Sequence, residues 1–296
     1  MNIISKLNYQ EVHHILDSEK LSIDDLHFYD LFLEIGRKDM QALIIDSRDS
    51  RCLLLDDFIL QEADNGQEHA MLIDEIIEQH PLLPAGFWKT VTVCIKSNTF
   101  ALVPAKFFKA EQASNYLSLV SPVVHSNSTT LSSPCLQDES VINVFNTHNN
   151  LVEMLQQKYE QKTIQFVHQA NSLINGCFSE TKTEGEQVNI LIDRFYMHII
   201  VSEGQQLRFY NQFAIKKFDD YVQYLMMILS EQELSRHCPI KVYGFIADDS
   251  PHFKKLKEVF TNMEMGQRPK TLFYPYHFDE IKENAYFDVF SLSLCK

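Results

Sequence analysis

Six cysteines and twelve histidines are the residues of this chain best suited to hold a metal or attack a substrate, and their spacing favours neither role. The cysteines stand singly at positions 52, 94, 135, 177, 238 and 295, with no CxxC pair of the kind a zinc knuckle or thioredoxin-type site requires. Cys52 and Cys94 fall inside strand-like runs, where a free cysteine serves as a small buried hydrophobe. The histidines form no HExxH. His13 and His14 are neighbours and so point to different faces. His237 precedes Cys238 and Pro239 at the end of a helical stretch, where an imidazolium suits the helix dipole without any metal. There is no GxSxG elbow to mark a serine hydrolase. Neither a metal site nor a nucleophile is expected from these residues.

Charge narrows the classes further. The chain carries 40 acidic against 26 basic residues, a net charge of −14, whereas nucleic-acid binders draw most of their affinity from Lys and Arg at phosphates. Lys216-Lys217 and Lys254-Lys255-Lys257 are short runs on helical patterns and read as solvated faces, so no nucleic-acid partner is expected. At 296 residues, with 45% hydrophobic and 22% charged side chains, the chain has the balance of a folded protein with room for two domains. No apolar run approaches the roughly 18 residues of a membrane span, so no membrane insertion is expected. The opening MNIISKLNYQEVHH lacks the basic and apolar regions of a signal peptide, and the expected location is the cytoplasm.

The elements that would position any site are legible as a pattern that occurs twice. Asp30 to Gln61 contains three apolar, β-rich runs, DLFLEIG, MQALIIDS and RCLLLDDFIL. Val188 to Phe213 repeats the arrangement with VNILID, YMHIIVS and QLRFYNQF. Each triplet leads into an amphipathic stretch and then another apolar strand, VTVCIK from Val91 and IKVYGFI from Ile240. In the first copy Leu72, Ile73, Ile76 and Ile77 fall at helical spacing before Pro81. In the second, Phe218, Tyr221, Val222, Leu225, Ile228 and Leu229 do the same. The first 25 residues read as a helical or irregular lead-in, and Ser121 to Asp138, rich in Ser, Thr, Asn and Pro, reads as a loop. Val141 to Phe145 and Thr163 to Val167 are expected as strands, each followed by a helix, within the first domain. Thr271 to Tyr274 is expected as a last strand. The polar segment Ser179 to Gln187 separates a first domain, residues 1–178, from a second, residues 188–296.

Two copies of β-β-β-α-β, the first extended by strand-helix-strand-helix, resemble the actin-like ATPases of the ribonuclease H-like superfamily. In detail LEIGRKD, VFNTHNNLVEMLQQKYEQ, NILIDRFYMHIIVSEGQQLRFYNQF and FDVFSLSLC resemble an uncharacterised bacterial family, domain of unknown function 3822, over nearly the whole chain. The resemblance implies an α/β fold of two actin-like domains, each a mixed sheet opening with three consecutive antiparallel strands and flanked by helices. It also implies where nucleotide would bind: ATP with magnesium held between the domains, a glycine-bearing hairpin from each touching phosphate, and a carboxylate beside each hairpin near the metal. Glycine is needed because a Cβ blocks backbone N–H groups from phosphate oxygens.

Carried over residue by residue, the match is partial. Glu34-Ile35-Gly36 keeps an acid and a glycine at the first hairpin, with Glu in place of the usual Asp. Asp193-Arg194-Phe195-Tyr196 keeps the acid of the second hairpin and none of its glycines, and the adenosine-side glycine pair is reduced to Gly244. Only 8 residues of the chain are glycine, below the average usage of about 7%. Glu34, Gly36, Asp193 and Gly244 are thus remnants of a nucleotide site, or turn residues at strand ends. The reading this supports is a non-catalytic, actin-like binding or assembly module without cofactor and with a protein partner. Two others compete with it. One is a divergent ATP-dependent kinase or ATPase using Glu34, Asp193 and Gly36. The other is a ribonuclease H-like nuclease built on Glu34, Asp46 and Asp193.

Overall fold

A computed structural model describes residues 8–121, 127–135, 140–180 and 185–295. The chain divides into two compact units. One comprises Met1–Ser172, Thr271–Phe278 and Leu292–Lys296, and the other Leu173–Lys270 and Asp279–Ser291.

The first unit is built on a six-stranded sheet. Its strands are β1 (Tyr9–Leu16), β2 (Tyr29–Ile35), β3 (Asp39–Asp46), β4 (Arg51–Leu60) and, after helix α1 (Gly66–Gln79), β5 (Thr90–Ile95) and a last strand at residues 164–168. Strands β2, β3 and β4 are antiparallel neighbours, and β5 runs parallel to β2. The order of the first copy is therefore the expected one. Even-numbered positions of β4 (Leu54, Phe58, Leu60) join Ile73, Ile76 and Ile77 of α1 in one buried cluster, as alternation in a strand and a 3.6-residue period in a helix require. Asn65 caps α1 by accepting the N–H groups of Gln67 and Glu68, satisfying two of the orphan donors at its start.

An insertion follows β5: β6 (Phe100–Pro104), α2 (Ala113–Val120), β7 (Ser128–Cys135) and β8 (Val141–His148). The chain then returns through α3 (Asn149–Lys158), β9 (Ile164–His168) and α4 (Gln169–Glu180). Three expectations are corrected here. The lead-in contains a strand, β1, which pairs antiparallel with β4; its Gln, Glu and His residues conceal it because only part of this edge strand is buried. The Ser- and Thr-rich segment also contains a strand, β7, which lies at the edge of a separate three-stranded sheet ordered β6-β8-β7, where Pro134 is tolerated. The remaining residues of that segment at 122–126 and 136–138 lie outside the described residues. Finally, Val141 to Phe145 belongs to this small sheet and not to the main one.

The second unit carries β10 (Glu186–Ile192), β11 (Tyr196–Glu203), β12 (Gln206–Ala214), α5 (Phe218–Glu231), β13 (Ile240–Gly244), α6 (Pro251–Val259), β14 (Met263–Met265) and α7 (Phe287–Ser291). Its sheet runs β12-β11-β10-β13-β14, with β10, β11 and β12 antiparallel and β13 parallel to β10. Val188, Ile190 and Ile192 pack with Ile199, Leu225, Ile228, Phe253 and Leu256. Pro251 stands in the first turn of α6 behind its cap Ser250, where its missing N–H costs nothing. Thr271 to Tyr274 does not form a strand; Phe273, part of the first unit, makes a single bridge to Arg51. No helix among the described residues is long and apolar enough to cross a membrane.

Candidate functional site

The first hairpin joins β2 to β3 and brings Glu34 and Gly36 together with residues the sequence did not single out. Register places Glu34 between Gln41 on β3 and Cys94 on β5, and Gln41 beside Asp57 on β4. The result is a buried polar row inside an apolar sheet. Lys96, two residues beyond Cys94, sends its ammonium to Asp39 Oδ2 at 2.9 Å, Gln41 Oε1 at 3.0 Å and Glu34 Oε2 at 3.3 Å. The first two contacts are hydrogen bonds and the third is an ion pair. Gln41 Nε2 donates to Asp57 Oδ1 at 2.7 Å, and the Cys94 thiol donates to Glu34 Oε1 at 3.3 Å. Burial, with the Glu34 carboxylate beside it, pushes that thiol well above its ordinary range. An oxygen set of this kind attracts a cation, and the chain supplies one from its own side chain.

Gly36 closes the hairpin through its N–H to the Asp39 carbonyl at 2.9 Å, and its own carbonyl accepts from His69 Nε2 at 2.9 Å. A Cβ at position 36 would overlap Asp39 Oδ1. The missing side chain therefore makes room for a carboxylate of the same hairpin.

The second hairpin joins β10 to β11 and is closed by Asp193. Its Oδ1 accepts the N–H of Phe195 at 2.7 Å and of Tyr196 at 2.5 Å, an Asx turn. Its Oδ2 faces His198 Nε2 at 3.2 Å, and His198 Nδ1 faces the Tyr210 hydroxyl at 3.0 Å. Because the carboxylate accepts, Nε2 carries the ring proton and Nδ1 accepts from Tyr210. Consecutive amide N–H groups are what a phosphate-binding loop offers, and here an internal carboxylate takes them. Phe195 stays 37% exposed at the tip. Arg194 lies over the ring of Phe245, 4.5 Å from its centroid, and Phe245 meets Tyr286 edge-on.

Parallel pairing of β10 with β13 sets Gly244 against Ile192, next to Asp193. Gly244 has φ +92° and a Cβ there would strike the Ile192 carbonyl. The Phe245 N–H donates to that same carbonyl at 2.7 Å, and the Asn284 amide donates to the carbonyls of Gly244 and Ile246 at 2.8 Å each. Gly244 thus serves a close backbone approach.

Asp46 does not join Glu34. It pairs with Tyr29 at the far end of the β2–β3 ladder, about five residues or 17 Å along the strand from Gln41, and its carboxylate is held by Arg48 at 2.6 Å. The carboxylate cluster a nuclease needs is not assembled from these two residues. Sequence reasoning missed Asp39, Gln41, Lys96, His198 and Tyr210. Gln41, Lys96 and His198 are polar residues in strand-like runs, and that incongruity is the signal that could have found them; Asp39, just ahead of its run, and Tyr210, an ordinary strand residue, carry no such signal.

A family model described as a protein of unknown function, DUF3822, matches residues 18–263. No curated protein matches the chain. Among solved structures, a Bacteroides thetaiotaomicron VPI-5482 protein with actin-like ATPase fold and unknown function is similar with a TM-score of 0.76 at 16% identity, over 93% of this chain and 99% of that one. The PilM-PilN type IV pilus biogenesis complex matches with a TM-score of 0.53 at 12% identity, over 90% of this chain and 98% of the matched one. At these identities the likeness is one of fold, and the fold is that of the actin-like ATPases.

Proposed function

The chain belongs to the DUF3822 family, and we propose that it is a non-catalytic member of the actin-like fold that works as a binding or assembly module. One observation carries the reading: each hairpin that would meet phosphate is filled by a carboxylate of its own. Asp39 lies against Gly36, and Asp193 takes the amides of Phe195 and Tyr196. A polyphosphate brought to either hairpin meets like charge and donors already engaged. Lys96, bound to Glu34 and Asp39, takes the role a magnesium ion has beside an active hairpin.

A protein partner is part of the proposal, since PilM, a protein of this fold, occurs in a complex with PilN. So is a cytoplasmic location, supported by six cysteines that are all buried and outside any disulfide, as a reducing compartment allows. Residues 1–178 and 188–296 are taken as the two copies of a duplication, supported by the same antiparallel triplet and parallel fourth strand in each sheet.

Thermal denaturation with ATP, ADP and magnesium tests the central claim. No change in midpoint is expected. A ligand at about 100 times its dissociation constant adds roughly 2.7 kcal/mol, so a reproducible upward shift with Mg-ATP, or phosphate release that disappears in Asp193→Ala, refutes it.

A further inference from the structure

Leu31 and Leu33 of β2 belong to the cluster with α1, so strand alternation turns Asp30 and Phe32 to the opposite face of the sheet. Register sets Ile45 of β3 on one side of Asp30 and Thr90 of β5 on the other. Asp30, Phe32 and Ile45 are each at most 3% exposed, and they form the floor of a cavity of about 80 Å³. Leu272 of the returning segment and Leu294 near the C-terminus wall it, and the exposed Ser50 and Thr271 mark its mouth. All of these residues belong to the first unit.

Among the described residues that line the cavity, Asp30 carries the one charge. The hydrogen-bond donors beside it already have acceptors. Thr90 Oγ1 donates to Asp30 Oδ1 at 2.7 Å. Ser47, also in the lining, directs its N–H and its O–H to the Phe28 carbonyl at 3.1 and 2.7 Å. What these groups offer an occupant is acceptor capacity. The Ser47 oxygen keeps its lone pairs, and a carboxylate has about four acceptor sites, more than one hydroxyl can fill. Like charge repels an anion from this floor. A calcium ion takes about six to eight oxygens, far more than one carboxylate and a few hydroxyls supply, whereas Phe32, Ile45, Leu272 and Leu294 offer contact to carbon. We propose that the cavity binds the primary ammonium group of a short, unbranched aliphatic chain, carried by a free amine or by a lysine side chain.

Size agrees with this chemistry. At roughly 10–15 Å³ for each water-sized group, the cavity holds about five to eight of them, and four carbons with one ammonium make five. The ammonium donates to Asp30 and to the Ser47 oxygen while the carbon chain lies against the apolar walls. The site stands at the other end of β2 from Glu34, about 13 Å along the strand, and holds whether or not the hairpins bind nucleotide.

The full chain is titrated calorimetrically with n-butylammonium chloride in about 0.15 M salt, which screens diffuse attraction to an acidic surface. One site per chain is expected, with a Kd at or below about 1 mM, within reach of a ligand of so few heavy atoms. n-Butanol lacks the charge, and n-butyltrimethylammonium keeps the charge without an N–H. Each should bind at least about tenfold more weakly, having lost the charge-assisted hydrogen bonds. Asp30→Asn should weaken n-butylammonium by about tenfold to a hundredfold for the same reason. Thr271→Trp fills the exposed mouth without altering the core and should block binding, so it decides if Asp30→Asn fails to fold. An N-acetylated peptide with one lysine separates the sources: tighter binding than n-butylammonium assigns the cavity to a partner's lysine, and equal or weaker binding to a free amine. The proposal is overturned if neither probe binds saturably below about 10 mM, tenfold outside the expected range. It is also overturned if the trimethylated compound binds as tightly as the primary amine, or if affinity is unchanged in folded Asp30→Asn or, failing that variant, in Thr271→Trp.

Discussion

The carboxylate of Asp39 occupies the volume into which a side chain at Gly36 would grow. This one relationship converts a glycine that looks like an opening for phosphate into a glycine that accommodates a neighbour. Asp39 is not free to swing aside, because Lys96 and Gln41 hold it.

Gly36→Ala should therefore cost about 1–3 kcal/mol, the usual penalty for overfilling a packed site. The cost should fall by more than half when Asp39→Ala is already present. Urea unfolding followed by the fluorescence of Trp88, the single tryptophan and fully buried, gives the four stabilities of the cycle. Additive effects would show that the clash is not what position 36 avoids.

Lys96→Met removes the ammonium shared by Glu34 and Asp39 and leaves two buried carboxylates without it. Breaking a buried ion pair from one side costs about 3–5 kcal/mol, so the variant should unfold at a much lower urea concentration. A loss under about 1 kcal/mol, the range of exposed pairs, would mean that the cluster does not depend on this cation.

Asp193→Ala frees the N–H groups of Phe195 and Tyr196 and should cost about 1–2 kcal/mol, as loss of a comparable capping side chain does. Asp193→Asn keeps the accepting oxygen and should cost less. Calorimetric unfolding of the three proteins ranks them, and equal stability of the alanine and asparagine variants would argue against the Asx turn as the cause.

His69 gives a pH dependence of definite sign. Burial, opposed by its bond to the Gly36 carbonyl, holds its pKa below the ordinary 6.5. Below that pH the unfolded chain takes up a proton that the folded chain resists, so stability is lost as pH falls from 6.5 toward the folded value. Compared with the unaltered protein, His69→Gln should gain relative stability below pH 6.5 and show no such gain above it. A stability difference that stays constant across this range would assign the acid sensitivity to other groups.

The repeated strand triplet was legible because β2, β3, β10 and β11 are buried along most of their length, and burial writes long apolar runs. Helices α1 and α5 were legible for the matching reason, a periodic apolar face. β1 and β7 were not, since an edge strand can be polar and still hydrogen-bond. The site divides along similar lines. Glu34, Gly36, Asp193 and Gly244 stand where a family pattern points, but what occupies them depends on Asp39, Lys96 and His198. Those residues meet their partners through strand register, and register is invisible until the sheet is assembled.

Residues Thr271–Phe278 belong to the first unit although the chain makes nearly all of the second unit before reaching them. Phe273 donates its N–H to the Ser50 carbonyl and accepts the N–H of Cys52, and its ring lies beneath the Arg51 guanidinium. Synthesis from the N-terminus usually lets an early domain finish folding before a later one emerges. Here it cannot. A nascent chain halted before residue 271 presents a first unit still lacking these bonds, and completion of the early half waits on translation of the late one.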